Sequence, residues 1–176
     1  MINKFIALVI FLCSLLVNPV YAASAVDNVS LEKSAAIAWV MANAFKPIKL
    51  SVATAIVEHV YYEANKFQID PMLVLGVMRT ESGFNPKARS REGALGLLQV
   101  LPKYHRKELQ GRNAYLPEVS IEVGVSILND CMAQGKGNIL KATNCYVGGN
   151  DKHYYKSVTE YRKKLLEFTV TSILMG

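Results

Sequence analysis

Leu31, Ile37, Trp39, Val40, Met41 and Phe45 lie in an alanine-rich stretch that ends before Pro47, which predicts a helix over 31–45. The stretch is shorter than the ~20 apolar residues a membrane span needs, so its apolar side is read as core. Ser51 is a candidate cap for a second helix bearing Ile56, Val60, Tyr61, Ala64 and Phe67 on a mostly i, i+3, i+4 stripe. Asp70-Pro71 pairs an acidic N-cap with proline at the first helical position, and Gly83 marks a C-cap. A third helix is therefore expected over 71–82. Asn85, Pro86, Ser90, Gly93 and Gly96 then lead into the apolar run Leu95 to Val100, the pattern of a small β-hairpin or tight loop closing over something. Pro102 can open a short helix. Further helices are expected at about 118–134, 138–147 with Asn138 as cap, and 153–173. The pattern predicts a mainly α domain with one small β-hairpin or loop flap.

The N-terminus follows a different grammar. Lys4 precedes an apolar run from Phe5 to Val17, then Asn18-Pro19, and the segment closes on Val20-Tyr21-Ala22 with small residues at both cleavage-site positions. Residues 1–22 are expected to be a secretory signal peptide cleaved after Ala22, with an uncleaved anchor as the rival. A lipid-modified Cys13 is rejected, because bulky Leu12 precedes it and the apolar run continues beyond. Residues 23–176 then form one domain, a size that can bury a core without a dense set of disulfides.

Composition narrows the function. The chain of 176 residues has 20 Lys+Arg against 14 Asp+Glu, with 51% apolar and 19% charged residues, which argues against disorder. There is no glycine-rich phosphate loop and no CxxC pair. The basic residues are scattered without the interleaved aromatics of a single-strand groove, so nucleic acid is not the expected partner. A mild positive excess outside the inner membrane suits an anionic cell-wall polymer. Export also favours pairing Cys131 with Cys145, two separately buried thiols being the alternative. His59, His105 and His153 lack ligand-like spacing from these cysteines, so no metal is expected, and without a nucleotide motif no nucleotide cofactor is indicated.

Glu81 sits in the last turn of the expected 71–82 helix, whose remaining faces are apolar. The negative end of the helix dipole and burial both disfavour its ionised form. Its pKa should rise toward neutrality, as a general acid requires. An ordinary solvated acid at a helix end is the alternative.

The residues that follow weigh against that alternative. Glu81-Ser82-Gly83-Phe84-Asn85-Pro86-Lys87-Ala88-Arg89-Ser90, then Gly93-Ala94-Leu95-Gly96-Leu97-Leu98-Gln99-Val100-Leu101-Pro102, closely resembles the signature of the soluble lytic transglycosylase (SLT) family. That signature is Glu-Ser-x-Phe-Asn-Pro-x-Ala-x-Ser, then Gly-Ala-x-Gly-Leu-Met-Gln-hydrophobic-x-Pro. Leu98 for Met is the clear departure. Ala142-Thr143-Asn144-Cys145-Tyr146-Val147-Gly148-Gly149 resembles the family's Ala-x-x-Ala-Tyr-Asn-Ala-Gly segment, with Val147 for Asn and Cys145 for Ala. Tyr155 and Val158 are similar to a Tyr-x-x-Val spacing in its closing helix. The resemblance covers roughly residues 50–165.

The resemblance implies a lysozyme-like fold and peptidoglycan glycan strands as substrate. The family cleaves the β-1,4 bond between N-acetylmuramic acid and N-acetylglucosamine without water, leaving a 1,6-anhydro ring. Glu81 would serve as acid and then base, and Tyr146 would hydrogen-bond and orient it. Ser82 would contact the substrate acetamido group or brace Glu81, or merely bond backbone at the helix end. Gln99 would reach into the cleft from the flap, Gly96 would let backbone approach the sugar, and Asn144 would join the substrate contacts. Glu92 is the nearest later carboxylate and is read as a solvated loop acid. Were it to face Glu81 across a water, the enzyme would be a hydrolytic muramidase, as in the related goose-type lysozymes. A catalytically inactive peptidoglycan-binding adaptor is the other alternative. The resemblance implies a periplasmic location, and Cys145 in place of Ala hints at a subgroup serving a secretion or conjugation apparatus.

Overall fold

The computed structural model describes the backbone of residues 19–175 and the side chains of residues 28–175. Most of the expected signal segment therefore lies outside the described residues. Among the described residues seven helices follow in order: α1 Pro19–Asn43, α2 Leu50–Lys66, α3 Pro71–Ser82, α4 Arg106–Leu109, α5 Pro117–Gln134, α6 Ile139–Val147 and α7 Lys152–Met175. α1 starts well before residue 31, because Ala22, Ala23 and Ala25 are strong helix formers that carry the helix upstream. None of the described helices is long and apolar enough to cross a membrane.

The local signals at α3 hold. Asp70 accepts the Met72 amide at 2.8 Å, Pro71 opens the helix, and Gly83 ends it in the left-handed conformation at φ 55°. Asn138 caps α6 by accepting the Lys141 amide at 3.1 Å. Two expectations fail. α2 begins at Leu50 after an uncapping Lys49, so Ser51 lies inside the helix. Pro102 opens no helix, since its segment forms a turn in which Leu101 O accepts the Tyr104 and His105 amides, and α4 starts at Arg106.

α3 is the central helix. Met72 through Met78 are all buried, so it has core on every side, with α2 and α7 packed against it and α1 across α2 and α7. Gly76 permits the α3–α7 crossing: a Cβ there would lie 2.8 Å from Val158 O. A second, smaller cluster of Val100, Leu109, Ala114, Val119 and Val123 fills the space beneath the loop after α3.

That loop is not a hairpin. Among the described residues it forms only two isolated antiparallel bridges, Arg89 with Leu95 and Leu95 with Val100. Gly93, Gly96 and Gln99 take φ of 89°, 75° and 47°, which interrupts any extended run before a strand can form. Tight turns are packed down by Phe84, Leu97 and Leu98, all buried. Cys131 and Cys145 are joined, with Cα atoms 5.5 Å apart, tying α5 to α6.

Candidate active site

Glu81 occupies the last turn of α3, half-buried, where core helix meets loop. Burial pushes its carboxyl up to about 7, with an opposing pull from one hydroxyl donor. That donor is Tyr154 in the first turn of α7, whose hydroxyl meets Glu81 Oε1 at 2.5 Å. Tyr154 is itself held protonated, first by burial and then by the Glu81 charge. A protonated phenol is thus locked against a carboxyl poised between its two forms.

The sequence reading assigned this bond to Tyr146, and the geometry corrects it. Tyr146 instead donates to Leu98 O at 2.9 Å, joining α6 to the loop. It remains within the electrostatic reach of Glu81, whose charge, after burial, raises its pKa. Tyr154 was missed because its neighbour Tyr155 was matched to the family spacing. A signal was available: Tyr154, Val158, Leu165 and Thr169 form the buried i, i+4 stripe of α7, which puts Tyr154 rather than Tyr155 toward the core.

The other expected contact residues also brace the scaffold. Ser82 is buried and its hydroxyl donates to Leu97 O at 2.7 Å and Met78 O at 3.2 Å, fastening the loop to the end of α3. Gly96 is needed for packing, since a Cβ there would meet Ala114 O at 2.1 Å and Ser120 Oγ at 2.8 Å. Gln99 folds back, its Nε2 donating to Gly96 O at 2.9 Å, so it closes its own turn. Asn144 organises the α6–α7 connection: its Oδ1 accepts the Asp151 amide and its Nδ2 donates to Asn150 Oδ1, both at 3.2 Å. That connection delivers Tyr154 to Glu81. Leu98, where the family usually has Met, anchors the centre of the loop. Its amide donates to Ser120 Oγ at 3.1 Å, and its side chain fills the space left by Gly124.

A further device escaped the sequence. The Arg79 guanidinium lies 4.1 Å from the Phe45 ring centroid and 4.7 Å from that of Tyr161, with its Nε buried and without a hydrogen-bond partner among the described residues. Phe45 also donates its amide to Gly83 O at 3.1 Å. The end of α3 is thus clamped from the α1–α2 connection and from α7.

No second carboxylate joins this hydrogen-bond network among the described residues. Glu92 is exposed, and its carboxyl is held below the usual range by its own backbone amide and then by Ser90. Asp70 sits at the opposite end of α3, about 16 Å along the axis, paired with Arg162 at 2.5 Å. Glu122 pairs with Arg112. Among the described residues no group of three His, Cys, Asp or Glu side chains could hold a metal ion.

Fold and site together define a lysozyme-like, mainly helical domain built around a half-buried acid held near neutrality. More particularly, the chain belongs to the transglycosylase SLT domain family, whose profile matches residues 58–167. It is 35% identical over 95 residues to a transglycosylase of Enterobacteria phage PRD1, covering 54% of this chain and 35% of that protein. It is 39% identical over 88 residues to the membrane-bound lytic murein transglycosylase C of Actinobacillus pleuropneumoniae, covering 43% of this chain and 24% of that protein. The chain thus matches about a third or less of the length of these relatives. Among solved structures, the fold is similar to the lytic transglycosylase Slt of Pseudomonas aeruginosa, with TM-score 0.51 and 21% identity over 65% of this chain and 23% of the other. The 70 kDa soluble lytic transglycosylase of Escherichia coli gives TM-score 0.50 and 21% identity over 72% of this chain and 28% of that one.

Proposed function

We propose that the protein is an exported lytic transglycosylase of peptidoglycan that works with Glu81 as its single acid and base. The observation that carries this reading is one carboxyl near neutrality, hydrogen-bonded to Tyr154 and, among the described residues, to no second acid. Its family membership, and relatives named as murein transglycosylases, supply the substrate class.

The chemistry follows from that single group. Most glycosidases use two carboxylates, one as acid and one as base or nucleophile. Here protonated Glu81 gives its proton to the bridging oxygen as the C1–O bond of the muramoyl residue breaks. The substrate's 2-acetamido oxygen stabilises the developing charge at C1. Glu81, now a carboxylate, takes the proton of the muramoyl C6 hydroxyl, and O6 bonds to C1. No water is consumed. The second step lies within one sugar, so holding that sugar in place makes it effectively unimolecular. Tyr154 steadies the carboxylate between the two steps, and Tyr146 holds the loop beside it. Export is supported by the N-terminal charge and hydropathy pattern and by the disulfide.

The test is digestion of purified peptidoglycan, with mass spectrometry of the muramoyl ends. The expected result is anhydro ends, lost in Glu81→Gln. Reducing ends, heavier by one water, would overturn the single-group mechanism and make the enzyme a muramidase. Binding without cleavage by the unaltered protein would make it an adaptor.

A further inference from the structure

We propose that Asp151 is a positioning residue for the reaction: it caps the start of α7 through the backbone amide of Tyr154 and so sets the Tyr154 hydroxyl against Glu81. The inference rests on the single-acid reading above and extends it to a residue outside the signature segments. Asp151 immediately precedes α7, and its Oδ1 accepts the amides of His153 at 2.8 Å and Tyr154 at 2.9 Å. The first amides of a helix have no partner within it, so this one side chain satisfies two of them. Among the described residues the Asp151 carboxylate bonds neither Glu81 nor the Tyr154 hydroxyl, so it adds no second acid.

The contacts run without a gap from α6 to the acid. Asn144 Oδ1 accepts the Asp151 amide, and Asn144 Nδ2 donates to Asn150 Oδ1, both at 3.2 Å. α6 is itself fixed on both sides of Asp151's holder: the Cys131–Cys145 bridge ties the residue after Asn144 to α5, and Tyr146 ties the next to Leu98 O. From Asp151 Oδ1 the order passes to the Tyr154 amide. It ends at the Tyr154 hydroxyl, 2.5 Å from Glu81 Oε1.

The position of the cap makes it act on the acid rather than on the whole fold. Further along, α7 is held by buried Val158, Leu165 and Thr169 and by the pairing of Arg162 with Asp70. Loss of the cap therefore frees only the first turn, and that turn carries Tyr154. A lesser effect runs in the same sense. Tyr154 is held protonated by burial first and the Glu81 charge next, and the Asp151 charge adds to both, keeping the phenol a donor. The titratable groups beside Glu81 are Tyr154 of α7 and Tyr146 of α6. Burial and the Tyr154 hydroxyl alone shift its carboxyl, with no contribution from a charged side chain of α2, α3 or the loop among the described residues. A loosened Tyr154 is thus read directly as a higher Glu81 pKa.

The experiment measures kcat and KM on peptidoglycan strands across pH for the unaltered protein, Asp151→Ala, Asp151→Asn, Tyr154→Phe, and Asp151→Ala combined with Tyr154→Phe. The Glu81 carboxyl is titrated by carbon NMR in the same proteins. Asp151→Ala should lower kcat about fivefold with KM unchanged, and move the alkaline limb up by roughly half a pH unit. Asp151→Asn keeps an acceptor for both amides and should recover most of each loss. With Tyr154→Phe already present, Asp151→Ala should cost nothing more, because the hydroxyl it positions is gone. An equal loss in that background, no rescue by Asp151→Asn, or a lower melting temperature with the Glu81 titration unmoved overturns the proposal. If the unaltered protein cleaves no strand, the transglycosylase reading fails, and the Glu81 titration in Asp151→Ala still decides the positioning.

Discussion

Two groups at the site, Glu81 and Tyr154, are separated by 73 residues and share one short hydrogen bond. Burial raises the carboxyl, and the Tyr154 hydroxyl, which stabilises the ionised form, lowers it again. Tyr154→Phe removes only the lowering contribution, so the Glu81 pKa should rise above about 7. Because the first step needs the protonated acid, the alkaline limb of the kcat/KM profile should then move up by about one pH unit, with a lower maximum. Tyr146→Phe, which frees Leu98 O instead, should lower the rate without moving that limb. A pH–rate series on both variants checks this, and a shift in the Tyr146 variant alone would reverse the assignment of the two tyrosines.

At the scale of elements, α3 owes its accuracy to local chemistry at both ends. Asp70, Pro71 and Gly83 act within a few residues of where they stand, which is why the limits of this helix were legible in sequence. The same locality held for Asn138. It failed at Ser51, where the buried stripe of Ala53, Ile56, Val57 and Val60 set the start of α2 without a side-chain cap. In the loop, where turn residues before an apolar run left a small hairpin or a tight loop open, positive-φ turns packed onto Ser120 and Gly124 gave the tight loop. Gly83 tests the clamp at the catalytic end. Its φ is 55°, and a Cβ would come within 2.1 Å of the Phe45 ring, so Gly83→Ala combines backbone strain with loss of the Phe45–Arg79 stack. A destabilisation of about 1–3 kcal/mol is expected in urea unfolding. Activity should fall by more than the unfolded fraction explains, because the turn carrying Glu81 moves.

At the scale of the molecule, the Cys131–Cys145 bridge closes the connection from α5 to α6 across a separation of 14 residues. Cys131→Ser with Cys145→Ser should cost about 3 kcal/mol through the unfolded chain, seen as a lower melting temperature that reductant no longer changes. If the bridge shapes the wall beside Tyr146, the double variant should also raise KM at temperatures where it is fully folded. The sequence alone determined the helical class, the limits of α3, the position of the acid and its unfavourable setting, because periodicity, capping and the dipole are properties of neighbouring residues. It also carried the family pattern that singled out Glu81. Only the tertiary structure decided which tyrosine holds the acid. It also showed Ser82, Gly96, Gln99 and Asn144 acting as struts and clamped Arg79 between two rings. These are meetings between elements distant in the chain, set by how α1, α6, α7 and the loop pack around α3, and no local pattern encodes the partner across such a gap.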